Sequence, residues 1–350
     1  MTVVLTLEGD ARQRGEAYGE QAKDLIAEAA ERWTSDAGTS YRNLLDELVD
    51  RSSFRTTATR FSPGLVAEVD GIARASGVDP RLVWALNLLD EDWWTRGHLA
   101  AAEACSGLGI RPGPNQPALI AQNMDLPGWL DGLQVLLDIR PTDGEPRVLA
   151  PSYAGMVATN VLNEHGVGAC VNTLSQLPTS NAGLPVAFMV RLLAAQRSFA
   201  DAAEVLRTTP HASGQNFILG APTAVADFEC GAGTISEYAP HAGRLGHTNH
   251  PIGQDSSGAP SGPGALSNSE VRFDTLQQRL ADAPPTLGLA DVAAILRDRP
   301  LCRGADGDTG FTFYSVVMEL TDRPVLHLTS GPPNLSPYAS WDFGDSSEHL

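Results

Sequence analysis

The sequence predicts an α+β protein in which two β-sheets pack face to face between helical layers, a four-layer αββα sandwich. Three observations support this prediction. About a hundred largely helical residues come first, short strands then cluster without alternating with helices, and helices and strands follow again. No Gly-x-Gly-x-x-Gly motif follows a strand, so a doubly wound parallel sheet is disfavoured.

The first part of the chain, from about Asp10 to His98, is predicted to be helical. Ala, Glu and Leu recur there at helical spacing, and turn residues interrupt the pattern near 35–38 and 62–64. After Cys105 the pattern changes to short strands. These strands are predicted at 119–121, 133–139 and 167–172.

Alternation in the last of these strands shows which residues share a face. Val167, Ala169 and Val171 point one way, so Cys170 and Asn172 share the opposite face. An amide in an otherwise apolar strand must find hydrogen-bond partners if it is buried. Asn172 is therefore a candidate site residue, with ordinary packing as the alternative.

Helices and strands continue to the end of the chain. A helix near 186–193 places apolar residues at i, i+3, i+4 and i+7, and a second helix runs over 199–207. Further strands are predicted at 215–219, 225–230 and 234–238, further helices at 268–280 and 289–297, and a final hairpin at 311–320 and 324–329.

Composition restricts the class of partner. The 350 residues have a formal net charge of −18, which repels phosphate backbones and anionic membrane surfaces. Nucleic acid and membrane partners are therefore disfavoured, a small-molecule substrate is expected, and a homo-oligomer is left open. The amino terminus has no basic start and no apolar stretch reaches the roughly 18 residues of a membrane span, so a cytoplasmic location is expected.

One cysteine differs from the others by its position. The four, Cys105, Cys170, Cys230 and Cys302, form no Cys-x-x-Cys pair, which argues against a zinc ribbon, a redox site or a disulfide framework. The default interpretation of each is a small buried hydrophobe. Cys105, however, lies where helical sequence gives way to strand sequence, beside the small residues Ala104, Ser106 and Gly107.

A thiol at that junction can attack the carbonyl of Ala104. An N-to-S acyl shift followed by hydrolysis would leave Cys105 as the first residue of a new chain, with a nucleophilic sulfur and a free α-amine. Such an amine has an unperturbed pKa of roughly 7.7–8.0 and the thiol one of about 8.5, so the amine can serve as the base. No catalytic histidine is then required.

Three short motifs follow Cys105 along the chain: Gln122-Asn123-Met124-Asp125, Asn163-Glu164-His165-Gly166 and His247-Thr248-Asn249-His250. Taken alone, Asp125 could simply cap a turn, and turn chemistry explains Asn163 and Gly166. His247 and His250 have no third ligand nearby and no zincin glutamate, so neither a metal nor a cofactor is predicted.

The order of these motifs resembles the acyl-CoA:6-aminopenicillanate acyltransferase (C45) family of N-terminal nucleophile hydrolases. The resemblance runs from the segment Arg14 to Gly19 through the final hairpin. It implies the αββα fold and a self-processing cysteine amidohydrolase or acyltransferase for a small N-acylated molecule. It gives Asp125 the task of holding the new α-amine and Asn249 that of donating to the oxyanion. Further oxyanion- or substrate-binding residues are expected at Asn172, Asn123 and Thr173.

Two departures from the family pattern leave the substrate open. Penicillin acyltransferase-like members place an aromatic residue after the Asn-x-Asp aspartate, where this chain has Leu126-Pro127. They also place an arginine beside the glycine that opens the final hairpin, where this chain has Thr309-Gly310-Phe311. Hydrolysis is favoured over transfer because water is always available.

The preferred interpretation is a cut between Ala104 and Cys105. Fragments 1–104 and 105–350 would remain associated in one αββα domain. Two alternatives stay open. One is a choloylglycine hydrolase-like amidase of conjugated acids, a group that normally exposes its cysteine at the extreme start of the chain. The other is an uncleaved, non-catalytic protein that binds a small molecule.

Overall fold

Two β-sheets packed face to face form the centre of the protein, and helices cover both outer faces. The computed structural model describes residues 2–97, 105–253, 268–304 and 310–344. The predicted αββα sandwich is confirmed. Among the described residues, no helix is both long enough and apolar enough to cross a lipid bilayer.

The strands are β1 (Val3–Gly9), β2 (Ser106–Ile110), β3 (Ala118–Leu126), β4 (Gln134–Pro141), β5 (Val148–Tyr153), β6 (Val161–Asn163), β7 (Gly168–Thr173), β8 (Gln215–Ala221), β9 (Ala224–Gly231), β10 (Thr234–Tyr238), β11 (Arg244–His247), β12 (Phe311–Leu320), β13 (Val325–Leu328) and β14 (Ala339–Trp341). The helices are α1 (Ala11–Gln21), α2 (Lys23–Ala37), α3 (Tyr41–Leu45), α4 (Phe54–Phe61), α5 (Pro63–Ser76), α6 (Pro80–Leu86), α7 (Leu89–Arg96), α8 (Val186–Ala194), α9 (Phe199–Thr208), α10 (Asn268–Asp282) and α11 (Leu289–Arg297).

The eight-stranded sheet has the order β1-β4-β5-β6-β7-β8-β9-β10, and the six-stranded sheet has the order β11-β2-β3-β12-β13-β14. The two sheets approach closely where β2 crosses β8. A Cβ on Gly107 of β2 would lie 2.7 Å from the Cδ1 atom of Ile218 on β8. Glycine two positions after Cys105 therefore lets the sheets meet beside the candidate nucleophile.

Each sheet has its own helical layer. Helices α8 and α9 pack against β6 to β9 of the eight-stranded sheet, on the side where the amino-terminal helices also lie. On the other side of the sandwich, Leu276 of α10 and Leu296 of α11 pack on Leu108, Leu119 and Val317 of the six-stranded sheet. Apolar helix stripes facing sheets explain why these layers form.

The amino-terminal segment contributes a strand that the sequence analysis did not predict. β1 pairs in parallel with β4, so that Leu5 lies beside Leu137. Leu5 and Leu7 are buried while Val3 and Val4 are exposed. The strand therefore has one buried face, and it inserts the start of the chain into the sheet that also holds β7 and β8.

Close packing of α1 on α5 explains the glycines near the start of the chain. A Cβ on Gly15 would lie 2.0 Å from the carbonyl oxygen of Glu68, so only glycine permits this approach. Tyr18, on the same helix, is fully buried, and its hydroxyl accepts from the Gly155 N–H at 2.9 Å. α1 thereby fixes the loop after β5, which includes Met156 of the candidate site.

Candidate active site

Cys105 lies directly before β2 and is 5% exposed. Its Sγ is 3.7 Å from the carbonyl oxygen of Asp125 and 3.7 Å from the sulfur of Met124. Burial, and then the charge of Asp125, raises the pKa of the Cys105 thiol to about 12. In the intact chain the thiol is therefore protonated at neutral pH, so an attack by its sulfur must be coupled to the loss of that proton.

A cavity of about 30 Å³ lies beside Cys105, between α7, α8 and strands β3, β7 and β8. Most of its wall is apolar, formed by Leu89, Trp93, Met124, Leu126, Met156, Ala158, Val171, Val186, Ala187 and Val190. Its polar wall residues, besides the thiol, are Asp90, Asp125, Thr159, Thr173 and Gln215. An apolar space with a few convergent polar groups is the usual form of a small-molecule site.

Asp125 lies near the end of β3. One oxygen of its carboxylate accepts a hydrogen bond, and the other has no donor among the described residues. Its Oδ1 accepts from the Thr312 hydroxyl at 2.6 Å. No described residue donates a hydrogen bond to Oδ2, and the nearest described cation, Arg303 Nε, is 3.9 Å away, too far for one. Burial raises the pKa of Asp125 to about 7. A cation placed at Oδ2 would restore the ionised form.

Asn249 is fully buried, and its amide has only one possible orientation. Its Oδ1 accepts from Arg272 Nη2 at 3.0 Å, and its Nδ2 donates to the Thr173 carbonyl at 3.0 Å. An arginine only donates and a carbonyl only accepts, so the amide cannot be flipped. The second N–H of Nδ2 has no acceptor among the described residues, which leaves it available for an oxyanion.

Arg272, a fully buried residue of α10, was not predicted as a site residue from the sequence. Its Nη1 donates to the carbonyl oxygen of Cys105 and its Nη2 to Asn249, so one guanidinium joins the nucleophile's backbone to the oxyanion candidate. A signal was present in the sequence. Arg272 is followed at four-residue spacing by Leu276 and Leu280, which places a charge on the apolar stripe of the helix.

Thr173 is the predicted substrate-binding residue that reaches the cavity wall. Its hydroxyl donates to Asp90 Oδ1 at 2.5 Å, and its carbonyl accepts from Asn249. Asp90, on α7, was also missed by the sequence analysis. Three consecutive acidic residues between Leu89 and Trp93 were the available signal, because buried helix residues are rarely charged without a reason.

Asn172 lies between the sheets and not at the cavity wall. Its Oδ1 accepts from Gln122 Nε2 at 2.5 Å. Its Nδ2 donates to Asn216 Oδ1 at 3.1 Å and to the His247 carbonyl at 3.4 Å. Because both hydrogens of its amide are donated in hydrogen bonds, Asn172 connects β7 with β8 and β11 beneath the site. It comes one residue before Thr173 on β7.

Asn123 points away from the cavity. Its Nδ2 donates to the carbonyls of Leu296 at 2.8 Å and Leu301 at 2.9 Å. Alternation along β3 explains this, because Gln122 and Met124 face the other sheet and Asn123 must then face α11. The structure therefore gives Asn123 an anchoring position on the outer face of the six-stranded sheet and does not bring it together with Cys105.

His247 is fully buried behind Asn249. Its Nδ1 lies 2.9 Å from the Thr248 carbonyl oxygen and its Nε2 lies 3.0 Å from Glu229 Oε1. Both partners are acceptors, an arrangement that favours a proton on each ring nitrogen. Burial alone would lower the pKa of His247, but Asp227 and Glu229 together outweigh burial and raise it. The His247 ring joins β11 to β9 two residues before the oxyanion candidate.

Only one of the two residues at the predicted cleavage site is among the described residues. Cys105 is described, whereas Ala104 lies outside the described residues. Within the described part of the chain, Cys105, Asp125 and Thr173 share one cavity, and Asn249 joins them through Arg272 and Thr173. A thiol, an open carboxylate oxygen and an oriented amide are the groups that acyl transfer through sulfur requires.

One sequence-family model matches this chain. The model of the acyl-coenzyme A:6-aminopenicillanic acid acyl-transferase family matches residues 112–325, more than half of the sequence. The matched segment begins just after β2 and includes Asp125, Thr173, Asn249 and Arg272. No curated protein sequence matches the chain significantly.

Solved structures also match, at low sequence identity. The Caenorhabditis elegans ortholog of N-acylethanolamine-hydrolyzing acid amidase is 14% identical, with a TM-score of 0.48, and the match covers 69% of this chain and 100% of that one. Penicillin V acylase from Agrobacterium tumefaciens is 15% identical, with a TM-score of 0.47 and coverage of 69% and 87%. A mutant of conjugated bile acid hydrolase from Clostridium perfringens is 13% identical, with a TM-score of 0.42 and coverage of 70% and 99%.

Proposed function

Because the chain belongs to the acyl-coenzyme A:6-aminopenicillanic acid acyl-transferase family, we propose that it is a self-processing cysteine amidohydrolase that forms a thioester on Cys105. Because it belongs to this family, the chain is an enzyme that acts on amide carbon–nitrogen bonds or transfers acyl groups. Its substrate would be a small N-acylated molecule. The observation that most supports this function is the cavity lined by both Cys105 and Asp125, a carboxylate whose Oδ2 has no donor among the described residues.

Self-cleavage would create the catalytic base. The Cys105 sulfur adds to the carbonyl carbon of Ala104, the carbon–nitrogen bond breaks, and the nitrogen takes up the proton that the thiol gives up. Water then hydrolyses the thioester, so that residues 1–104 end in a carboxylate and Cys105 begins a chain with a thiol and an α-amine. The high pKa of the thiol in the intact chain supports the need for this amine.

The α-amine would work with Asp125 during turnover. It takes the proton from the thiol, and as an ammonium group it would donate to Asp125 Oδ2, which is open among the described residues. The thiolate attacks the amide carbon, and the carbonyl oxygen becomes an oxyanion that the free N–H of Asn249 can bind. The ammonium then protonates the leaving amine, which leaves the acyl group on sulfur as a thioester.

Water, or a second amine in a transfer reaction, would complete the cycle. The α-amine accepts a proton from the incoming nucleophile, the nucleophile adds to the thioester carbon, and the thiol leaves with the returned proton. Arg272 would act as a positioning residue throughout, since it holds the Cys105 carbonyl and the Asn249 amide in one geometry.

Several contacts would keep the two fragments together after cleavage. Glu68 of α5 is fully buried between Arg14, at 3.3 Å, and Arg191 of α8, at 2.7 Å. The pairing of β1 with β4 also joins the two fragments. Removing one partner from a buried ion pair typically destabilises a protein by about 3–5 kcal/mol. Such contacts support an association that lasts through turnover.

Alkylation tests the assignment of the nucleophile. Iodoacetamide should abolish amidase activity and label Cys105, as located by peptide mass spectrometry, because only an activated thiolate reacts quickly. Variants Cys170→Ser, Cys230→Ser and Cys302→Ser are the matched controls, since burial raises the pKa of each of these thiols. Retained activity after stoichiometric labelling of Cys105 would contradict the proposal.

A further inference from the structure

A second cavity, of about 210 Å³, lies apart from the cavity of about 30 Å³ beside Cys105. No described residue lines both cavities. The apolar wall of the second cavity includes Phe61, Leu65, Ile139, Val148 and Leu192, and its polar wall residues are Arg14, Ser62, Glu145 and Arg191. It therefore combines an apolar interior with two cations, at the place where α5 meets β4, β5 and α8.

The two arginines of the second cavity are buried around a single carboxylate. Arg14 is 2% exposed, Arg191 is 7% exposed, and Glu68 between them is 0% exposed. Burial alone would raise the pKa of Glu68, but Arg191 and then Arg14 outweigh burial and lower it, so Glu68 is ionised at neutral pH. The two guanidinium groups and one carboxylate leave this buried cluster with an excess of positive charge.

Arg191 keeps a donor that the protein does not use. Its Nη1 donates to Glu68 Oε1 at 2.7 Å and to the Val157 carbonyl at 3.2 Å, and its Nη2 donates to Glu68 Oε2 at 3.1 Å. No described residue accepts a hydrogen bond from its Nε. Because buried polar groups almost always have a partner, a guanidinium with a spare N–H at a cavity wall indicates an acceptor within the cavity.

The start of α5 adds a second source of positive potential. Pro63, Gly64 and Leu65, the first three residues of this helix, line the second cavity. The side chain of Ser62, which precedes them, makes no capping hydrogen bond. Backbone N–H groups and the partial positive charge of a helix amino terminus favour a bound anion.

Glu145 is the one acidic residue of the cavity wall. Its Oε2 is 3.3 Å from Arg14 Nη2, and Asp143 Oδ2 is 3.6 Å from Arg14 Nη1. The side chains of these acids are 52% and 41% exposed, so solvent screens their charges and their ion pairs contribute little. Glu145 therefore competes only weakly with a carboxylate that enters the cavity.

We propose that the second cavity binds a small organic monocarboxylate whose apolar body is about the size of a benzene ring. Its carboxylate would accept from Arg191 Nε and from the amino terminus of α5, and its body would contact Leu65, Ile139 and Val148. A cavity of about 150 Å³ can hold benzene, so about 210 Å³ has room for a ring and a carboxylate. This site goes beyond the proposed function, whose reaction does not require it.

Benzoate and benzamide, which have nearly the same shape but differ in charge, are the probes. Titration calorimetry should show that the wild type binds benzoate at least about 10-fold more tightly than benzamide, because a hydrogen bond to a charged group is the stronger. Benzoate should also raise the melting temperature, since it binds the folded protein. No binding of benzoate up to about 10 mM, or equal binding of the two compounds, would overturn the site.

Inorganic phosphate tests the apolar half of the site. Phosphate has the charge but no body that can contact Leu65, Ile139 and Val148, so it should bind at least about 10-fold more weakly than benzoate. Phosphate that binds as tightly as benzoate would overturn the assignment of an organic ligand.

Arg191→Lys places the bound benzoate in the second cavity. Lysine keeps the charge beside Glu68 but lacks Nε and the planar fork, so the affinity for benzoate should fall by about 10-fold or more. Arg207→Lys is the matched control, because Arg207 pairs with Glu237 at 2.6 Å and does not line this cavity. Circular dichroism checks the fold of both variants. An unchanged affinity in folded Arg191→Lys would contradict the site.

Glu145→Gln tests the same site from the exposed side, where a substitution does not threaten folding. Removal of the competing carboxylate should tighten the binding of benzoate by about 2- to 5-fold. Glu204→Gln, at a 64% exposed side chain outside the cavity, should change nothing. Weaker or unchanged binding in Glu145→Gln would contradict the site. A protein that binds benzoate but hydrolyses no amide keeps this site and refutes only the proposed function, and the reverse result refutes only this site.

Discussion

Replacing Arg272 by lysine tests how the site is held together. The guanidinium reaches two groups at once, with Nη2 at 3.0 Å from Asn249 Oδ1 and Nη1 at the Cys105 carbonyl. Lysine keeps the charge but has a single nitrogen on a flexible stem, so it cannot hold both groups in the same geometry. Because position 272 is fully buried, water cannot replace the lost contact.

The expected loss follows from the hydrogen bonds that are broken. A hydrogen bond to a charged group contributes about 1.5–3 kcal/mol, and each factor of ten in rate corresponds to about 1.36 kcal/mol. Without its bond to Arg272, the Asn249 amide is held only by the Thr173 carbonyl, and its second N–H is less firmly fixed toward the oxyanion. Arg272→Lys should therefore lower kcat by about 10- to 100-fold and change KM little, because the oxyanion forms only in the transition state.

The assay compares kcat and KM for an anilide substrate in the wild type, Arg272→Lys and Arg279→Lys. Arg279 lies on the same helix and pairs at the surface with Asp298 at 2.7 Å, so its lysine variant controls for changes to α10. Circular dichroism checks that each variant is folded. A kcat for Arg272→Lys within about twofold of the wild type would refute the positioning role.

Three further predictions follow from the same geometry. Asp125→Asn should fold but lose most activity, because a neutral amide cannot anchor a charged α-amine, and near-wild-type turnover would exclude Asp125 from that role. Asn249→Ala should lower kcat by about 10²–10³ with a smaller effect on KM in steady-state assays, and an unchanged kcat would remove it from the oxyanion hole. The pKa of His247 is raised in the folded protein, so its interactions with Asp227 and Glu229 stabilise the fold when the ring is protonated. This stabilisation is complete below the ordinary pKa of 6.5 and is lost as the pH rises through the raised pKa of His247. Melting temperatures across this range should show the deficit of His247→Gln shrinking as pH rises, and a constant deficit would contradict the buried imidazolium.

The layered fold could be predicted because periodicity records burial on one face. The helix near 186–193 and the strand near 167–172 were predicted from a repeat, the helix near 289–297 and the strand near 311–320 were also predicted, and all four are found. β2 and β5 were not predicted, and burial alone does not explain this, because β7 and β12 are buried along almost their whole length and were predicted. The parallel pairing of β1 with β4 depends on tertiary packing that no local pattern encodes.

Residues of the candidate site could be predicted from the sequence only where a short motif lies next to the cavity. Asp125 and Thr173 are at the cavity because each lies at the end of a strand that leads to it. Asn123 is in the same motif as Asp125, but its amide is held by the Leu296 and Leu301 carbonyls and does not line the cavity. Arg272 and Asp90 come from helices that reach the site only through the packing of whole layers.

The mass of the purified protein tests the central claim most directly. With 37.0 kDa spread over 350 residues, a cut before Cys105 predicts two chains of about 11 and 26 kDa, and Cys105→Ala should give one uncut chain. Intact mass spectrometry under denaturing conditions measures this without a substrate. A wild-type chain that keeps a single mass near 37.0 kDa after long incubation, and still hydrolyses an amide, would contradict self-cleavage as the source of the catalytic base.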